Sequence, residues 1–138
     1  MKTPSEIIGH MLKNDAYSQW LGVSLVSVGL GTCQLEMTVR EEMLNGFGIL
    51  HGGITYALAD SALAFAANSF GKHALSIETS ISHHAKVHLG QKLNAEATLT
   101  YKGSKFSSFN VAIKNENCEL VASFKGGVFN TQHEWDFI

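Results

Sequence analysis

Apolar and polar residues alternate along several segments of the chain. The clearest is Thr32–Val39, where every second residue is apolar and the residues between them are polar. Strict alternation predicts a half-buried β-strand. Similar patterns, separated by turn-forming residues, predict further strands at Val23–Val28, Ala74–His84, Leu93–Tyr101, Phe106–Lys114 and Glu119–Phe129.

Helical spacing appears before the first strand and again in the middle of the chain. Thr3 or Ser5 can cap a helix whose first turn contains Pro4, and a shorter helix is predicted over Asp15–Trp20. About 18 residues after His51 are rich in Ala and Leu and lack alternation, which favours one long helix. Because this helix is apolar all round, we expect it to be buried on all sides.

The order of elements predicts one α+β domain over residues 1–138, with a short helical N-terminal extension at about 4–20. Two strands precede the long helix and about four follow it. An antiparallel sheet wrapped around one central helix fits this order. A single sheet leaves its edges and second face uncovered, so we expect the chain to form oligomers.

Composition excludes several classes of function. The net charge is −2 and Arg40 is the one arginine, so a surface that follows nucleic-acid phosphates is not expected. No segment suits a signal peptide or a membrane span, and we expect a cytoplasmic protein. The two cysteines do not form a disulfide framework.

One carboxylate, Asp60, is the sole formal charge between Met43 and Gly71. An ionised Asp inside an apolar helix is costly to bury, so it needs a partner, a raised pKa or a chemical role. The residues around it read N-G-x4-H-G-G-x4-L-A-D, from Asn45 through His51 to Asp60.

This motif resembles that of the PaaI-type acyl-CoA thioesterases of the hotdog-fold superfamily, and the resemblance covers about residues 15–130. It implies a hotdog domain that hydrolyses acyl-CoA thioesters to a free acid and CoA, with aryl, phenylacetyl-type or medium-chain acyl groups. It also implies a homodimer with shared active sites, arranged as a dimer of dimers, and no cofactor. By the same resemblance, Asn45 orients water or a carbonyl group and His51 braces the loop.

Thioester hydrolysis needs a group that activates water or attacks, and donors where the carbonyl oxygen becomes negative. The amides of Gly52 and Gly53 begin the long helix, where N–H groups lack helical partners and the dipole favours negative charge. Asp60 is the candidate general base or nucleophile, and the sequence leaves both roles open.

Base and oxyanion donors come from different positions along one helix. Asp60 follows Gly52 by eight residues, which corresponds to about 12 Å along the axis. Both groups must lie about 3 Å from the reacting atoms. One chain is therefore poorly placed to supply both, and two antiparallel copies of the helix would bring Asp60 of one to Gly52 of the other.

Substrate contacts are predicted from side chains around this helix. Ser61 is a candidate hydrogen-bond partner for the acyl group, and an apolar acyl pocket is predicted from Phe47, Tyr56, Leu63 and Phe65. Many relatives carry a basic-Pro element after the helix, whereas this chain has neither Arg nor Pro between Ser82 and His88. The remaining candidates for contact with the CoA phosphates are His83, His84, Lys86, Ser104 and Lys105.

Three other interpretations are considered. His83, His84 and His88 do not converge, because strand neighbours point to opposite faces, so no metal site is expected. A hotdog dehydratase or hydratase would need His51 as its catalytic histidine and Asp60 as its acidic partner. A non-catalytic acyl-CoA-binding or sensor domain would bind without turnover.

Overall fold

The computed structural model describes residues 1–138 as one helix-and-sheet unit. Its helices are α1 (Pro4–Lys13), α2 (Ala16–Leu21) and α3 (Gly52–Asn68), with a 3-10 turn at Glu41–Met43. Its strands are β1 (Ser24–Gly29), β2 (Thr32–Thr38), β3 (Lys72–His83), β4 (Lys92–Lys102), β5 (Phe106–Asn115) and β6 (Leu120–Glu134). None of the helices is both long and apolar enough to cross a bilayer.

Polar side chains cap the two N-terminal helices. Thr3 caps α1 in a capping box, in which its hydroxyl accepts from the Glu6 N–H and the Glu6 carboxylate accepts from the Thr3 N–H. Asp15 caps α2, and Gly22 ends it with a φ of 75°, a left-handed conformation that favours glycine. Both predicted N-terminal helices are confirmed.

All six strands form one antiparallel sheet in the order β1-β2-β4-β5-β6-β3. The chain crosses from β2 to β3 through α3, so the helix lies over the sheet and β3 becomes an edge strand. The prediction of an antiparallel sheet around a central helix is confirmed.

The last strand is longer than its sequence pattern predicts. The alternation predicts an end at Phe129, but β6 continues to Glu134. The reason is long-range pairing, because Lys72 at the start of β3 pairs with Glu134. Neither residue belongs to an alternating apolar pattern, so local sequence does not reveal this extension.

The core lies between α3 and the inner face of the sheet. One row of paired residues crosses four strands, from Leu35 through Ala95 and Ile113 to Ala122, and each is completely buried. From the helix, Leu58, Ala59, Ala62, Leu63 and Phe65 are equally inaccessible.

The expectation that α3 is buried on all sides is wrong for this chain. The sheet covers only one side of the helix, and α2 covers only its margin. A stripe at helical spacing is left partly or fully accessible, and Asp60 lies near its centre. Its members are Gly53, Tyr56, Ala57, Asp60, Ser61 and Ala64.

Candidate active site

The N-terminus of α3 leaves one backbone donor free. The Gly53 N–H donates to Nδ1 of His51, the N-cap residue, over 2.8 Å. The Gly52 N–H has no acceptor anywhere in the chain. The expectation of two free amides therefore holds for Gly52 and not for Gly53, because Nδ1 of His51 accepts the Gly53 N–H.

A cavity of about 350 Å³ opens beside Gly52. It lies between the loop before α3 and the segment that follows β3, and Thr55, one turn after Gly52, contributes to the wall. Its lining residues are Asn45, Ile49, Leu50, Gly52, Thr55, His83, His84, Ala85, Lys86 and Val87. Sequence reasoning missed Thr55, although its i+3 spacing from Gly52 places both on one helix face.

Asn45 is held in its loop through one end of its amide. Its Oδ1 accepts from the backbone N–H groups of Phe47, at 2.9 Å, and Ile49, at 3.4 Å. Its Nδ2 has no protein partner. Because an amide NH₂ can only donate, Asn45 offers donors to the cavity.

Asp60 has no hydrogen bond and no ion pair within the chain. Its side chain is half-buried, and burial raises the pKa of the Asp60 carboxyl, because a low-dielectric environment penalises the charged form. It does not line the cavity beside Gly52. The structure therefore separates the unpaired carboxylate from the unpaired amide within one chain.

The two neighbouring histidines at the end of β3 have different surroundings. The ring of His83 lies against Gly52, so that a methyl group added there would be 3.1 Å from Nε2 of His83. His84 contacts β6 instead, where its Nε2 lies 2.9 Å from Ser123 Oγ. No group of three or more His, Cys, Asp or Glu side chains is close enough to hold a metal ion.

The prediction that Leu63 and Phe65 line an acyl pocket is wrong for the single chain, whereas the same role for Phe47 and Tyr56 stays a prediction. Leu63 and Phe65 are fully buried between helix and sheet, because they occupy the sheet-facing side of α3. Phe47 projects from its loop with 90% of its surface exposed. The Tyr56 hydroxyl is hydrogen-bonded to Thr79, and its ring packs edge-on against Phe124.

The remaining predicted contacts lie away from the cavity. Ser61 Oγ is 2.8 Å from Ser18 Oγ, and this contact joins α3 to α2. Ser104 borders a depression near Phe70, beyond the C-terminal end of α3, and Lys105 adjoins it in the same hairpin turn. A helix of 17 residues spans about 25 Å, so this turn is far from Gly52 in the same chain.

Known proteins are similar to this chain in both sequence and fold. Residues 47–122 match the family model of the thioesterase superfamily. The acyl-coenzyme A thioesterase PaaI of Escherichia coli is 34% identical over 116 residues, which cover 84% of this chain and 83% of that protein. Human acyl-coenzyme A thioesterase 13 is 31% identical over 114 residues, covering 80% of this chain and 81% of that protein.

The solved structure of E. coli PaaI, a protein from the phenylacetic acid degradation operon, superposes with a TM-score of 0.89. The match covers 91% of each chain at 32% identity. The family match includes the segment that carries Gly52, Asp60 and His83. The chain therefore belongs to the thioesterase superfamily and has the hotdog fold that its sequence motif implied.

Proposed function

We propose that this protein hydrolyses acyl-CoA thioesters to a free acid and CoA, with Gly52 and Asp60 supplied to each site by two different chains. The relatives named as acyl-coenzyme A thioesterases support the substrate class. Asp60 activates water or attacks the carbonyl carbon itself, and the Gly52 N–H stabilises the oxyanion.

The observation that carries this proposal is the unpaired Gly52 N–H beside a cavity. Gly52 is the first residue of a helix of 17 residues, so the helix dipole adds positive potential at its N–H. Two N–H groups normally stabilise an oxyanion, and the free Nδ2 of Asn45 on the cavity wall is the second candidate donor. His51 holds Gly53 and thereby fixes the orientation of the preceding peptide.

Asp60 suits the role of base, because its half-buried carboxylate is unpaired and its raised pKa makes it a stronger base than an exposed Asp. The axial separation of about 12 Å from Gly52 requires a second chain. The edge strand β3 offers a surface for that chain, since Leu75 and Ile77 are 64% and 62% exposed there. Antiparallel pairing of two β3 edges would place the two α3 helices in opposite directions.

The acyl group is proposed to be apolar or aromatic. The accessible stripe on α3 carries Tyr56 and Ala57 one helical turn before Asp60. Phe47 from a neighbouring loop is available to cover an acyl group once two chains assemble. Phenylacetyl, other aryl and medium-chain thioesters are the substrates to compare.

The test combines a substrate panel with mixed dimers. Wild-type protein should release free thiol from acyl-CoA thioesters, whereas Asp60→Asn and Gly52→Pro should each be inactive alone. Gly52→Pro removes the proposed donor at a helical position that tolerates proline, and its ring carbons also press on His83 of the same chain, so the site that uses this amide is inactive. Refolding the two variants together should restore about a quarter of wild-type activity per chain, since half of the dimers are mixed and each contains one intact site.

Three results would contradict the proposal. Full activity of Asp60→Asn would exclude the base, and unrestored activity in verified mixed dimers would exclude shared sites. Tight binding of acyl-CoA by the wild type without turnover would favour a binding or sensor domain. A dehydratase would instead release water from a hydroxyacyl-CoA, but Nδ1 of His51 is already bonded to Gly53 and Asp60 makes no contact with His51.

A further inference from the structure

His83 belongs to a row of paired residues that runs across the strands, and the other members of this row are all apolar. It pairs with Ala122, the last member of the fully buried row that starts at Leu35, and so continues this row onto β3. Directly opposite residues of an antiparallel sheet share a face, so His83 points to the inner side, toward α3. The fifth member of this row is thus an imidazole at the mouth of the cavity.

The absence of a side chain on Gly52 makes room for this ring. A Cβ there would lie 3.1 Å from Nε2 and 3.2 Å from Cε1 of His83. Few Cβ atoms in proteins lie this close to an atom of a neighbouring side chain. The ring therefore lies beside the residue whose free amide begins α3.

Neither ring nitrogen of His83 has a partner in the chain. The other two histidines nearby are each engaged, since His51 accepts from Gly53 and His84 meets Ser123. His83 is thus the histidine at this site whose two ring nitrogens are both unpaired. An imidazole exchanges protons readily near neutral pH.

Thioester hydrolysis makes a third demand beyond a base and an oxyanion donor, because sulfur leaves with an electron pair and must gain a proton. We propose that His83 is a catalytic residue that protonates the leaving sulfur; this role rests on the function proposed above. Water or Asp60 forms the new bond to the carbonyl carbon, and the C–S bond breaks with its pair on sulfur. The Nε2 proton of His83 moves to sulfur, and the proton released from water replaces it through solvent.

The experiment compares two leaving groups. An alkyl thiol such as that of CoA is a weak acid, with a pKa of about 8.5 for the similar Cys side chain, whereas a nitro-substituted aryl thiol leaves readily without a proton. His83→Phe keeps a ring against Gly52 but cannot donate a proton. We expect it to lower kcat about 10- to 100-fold with acyl-CoA and less than about 3-fold with the aryl thioester of the same acid.

His83→Gln adds a second measurement, because it keeps a hydrogen-bond donor but no transferable proton, and it should show the same dependence on the leaving group. His133→Phe removes an exposed histidine at the opposite end of the β3–β6 pair and should leave both rates unchanged. Thermal melting checks that each variant folds.

Equal losses with both thioesters, or no loss with either, would overturn the assignment of His83. A fall in melting temperature that accounts for the lost activity would do the same. Failure of the proposed function itself looks different, because the wild type would then hydrolyse neither thioester or Asp60→Asn would retain full activity.

Discussion

The two ends of α3 differ in how their backbone and side-chain polar groups are satisfied. At the N-terminal end, the Gly52 N–H is unpaired beside a cavity. At the C-terminal end, the side chain of Asn68 is almost inaccessible, at 2% exposure, and each of its polar atoms makes two hydrogen bonds.

The Asn68 amide joins three parts of the chain. Its Nδ2 donates to the carbonyl groups of Ala64 and Ala74, at 2.8 and 3.0 Å. Its Oδ1 accepts from the Ala74 N–H and from Nε1 of Trp135, both at 2.9 Å. The last turn of the helix, the start of β3 and the C-terminal segment are thereby fixed together.

This contrast separates stability from chemistry along one helix. A polar group that is satisfied within the protein adds to the free energy of folding, whereas one left open can bind a reacting atom at little cost in reorganisation. Changes at the C-terminal end should therefore lower stability, and changes near Gly52 and Asp60 should lower activity.

The largest effect is expected for Asp60→Asn, which should decrease kcat by about 100-fold or more because it removes the group that activates water. The same substitution should raise the melting temperature, because Asn carries no charge to desolvate. Steady-state assays and thermal melts on one preparation test both halves. A simultaneous loss of activity and stability would indicate that Asp60 is structural.

The stability difference between Asp60→Asn and wild type should change with pH in a direction set by the raised pKa of Asp60. Burial raises the folded pKa of Asp60 above its ordinary value of 3.8, so the folded chain binds this proton more tightly than the unfolded chain. The destabilisation caused by the charge is absent below that ordinary value and develops as pH rises through the raised pKa. The stability difference between Asp60→Asn and wild type should therefore be largest at neutral pH and vanish in acid, while wild-type kcat falls as Asp60 is protonated.

A second prediction concerns the C-terminal end of α3, where all polar atoms of the Asn68 side chain are hydrogen-bonded. Asn68→Leu should lower the free energy of unfolding by about 3 kcal/mol, because several buried partners would lose their hydrogen bonds. Activity per folded molecule should change little at low temperature. Trp135→Phe is the matched control, since it removes a single donor from Asn68 and should cost about 1 kcal/mol. Urea titrations measure both, and equal effects would mean that the Asn68 amide does not act as a unit.

Local patterns in the sequence were sufficient for the elements of the fold. Alternation predicts the strands, and the capping residue Thr3 predicts the start of α1. The motif placed Gly52 at a helix N-terminus and Asp60 within the same helix. These features depend on neighbours in sequence, which is why they could be predicted.

The remaining features depend on contacts between distant segments. The Ala- and Leu-rich composition of α3 cannot tell which side the sheet covers, so Leu63 was assigned to a pocket although it lies in the core. The contact of His83 with Gly52 requires the β3–β6 register and the crossing of α3 over the sheet.

A third prediction tests whether Gly52 and His83 form one unit. Gly52→Ala should reduce kcat about 10-fold or more, because the new Cβ displaces the His83 ring and narrows the approach to the amide. Combined with His83→Phe, the double variant should be little worse than the poorer single variant. Gly9→Ala, at an exposed position of α1 with open space around it, is the control for adding a methyl group and should keep full activity. Additive losses would show that the two residues act independently.

The smallest effect is expected for the N-cap of α3. His51→Ala removes the acceptor of the Gly53 N–H and should cost about 1 kcal/mol of stability, or a few degrees in melting temperature. His51→Asn should recover most of this stability, because Asn also accepts at an N-cap position. If His51 acts only by bracing the first turn, His51→Asn should recover activity in the same proportion as stability. Recovered stability without recovered activity would show that the imidazole itself contacts the substrate. The two ends of α3 would then differ in chemistry as well as in the number of their unpaired polar groups.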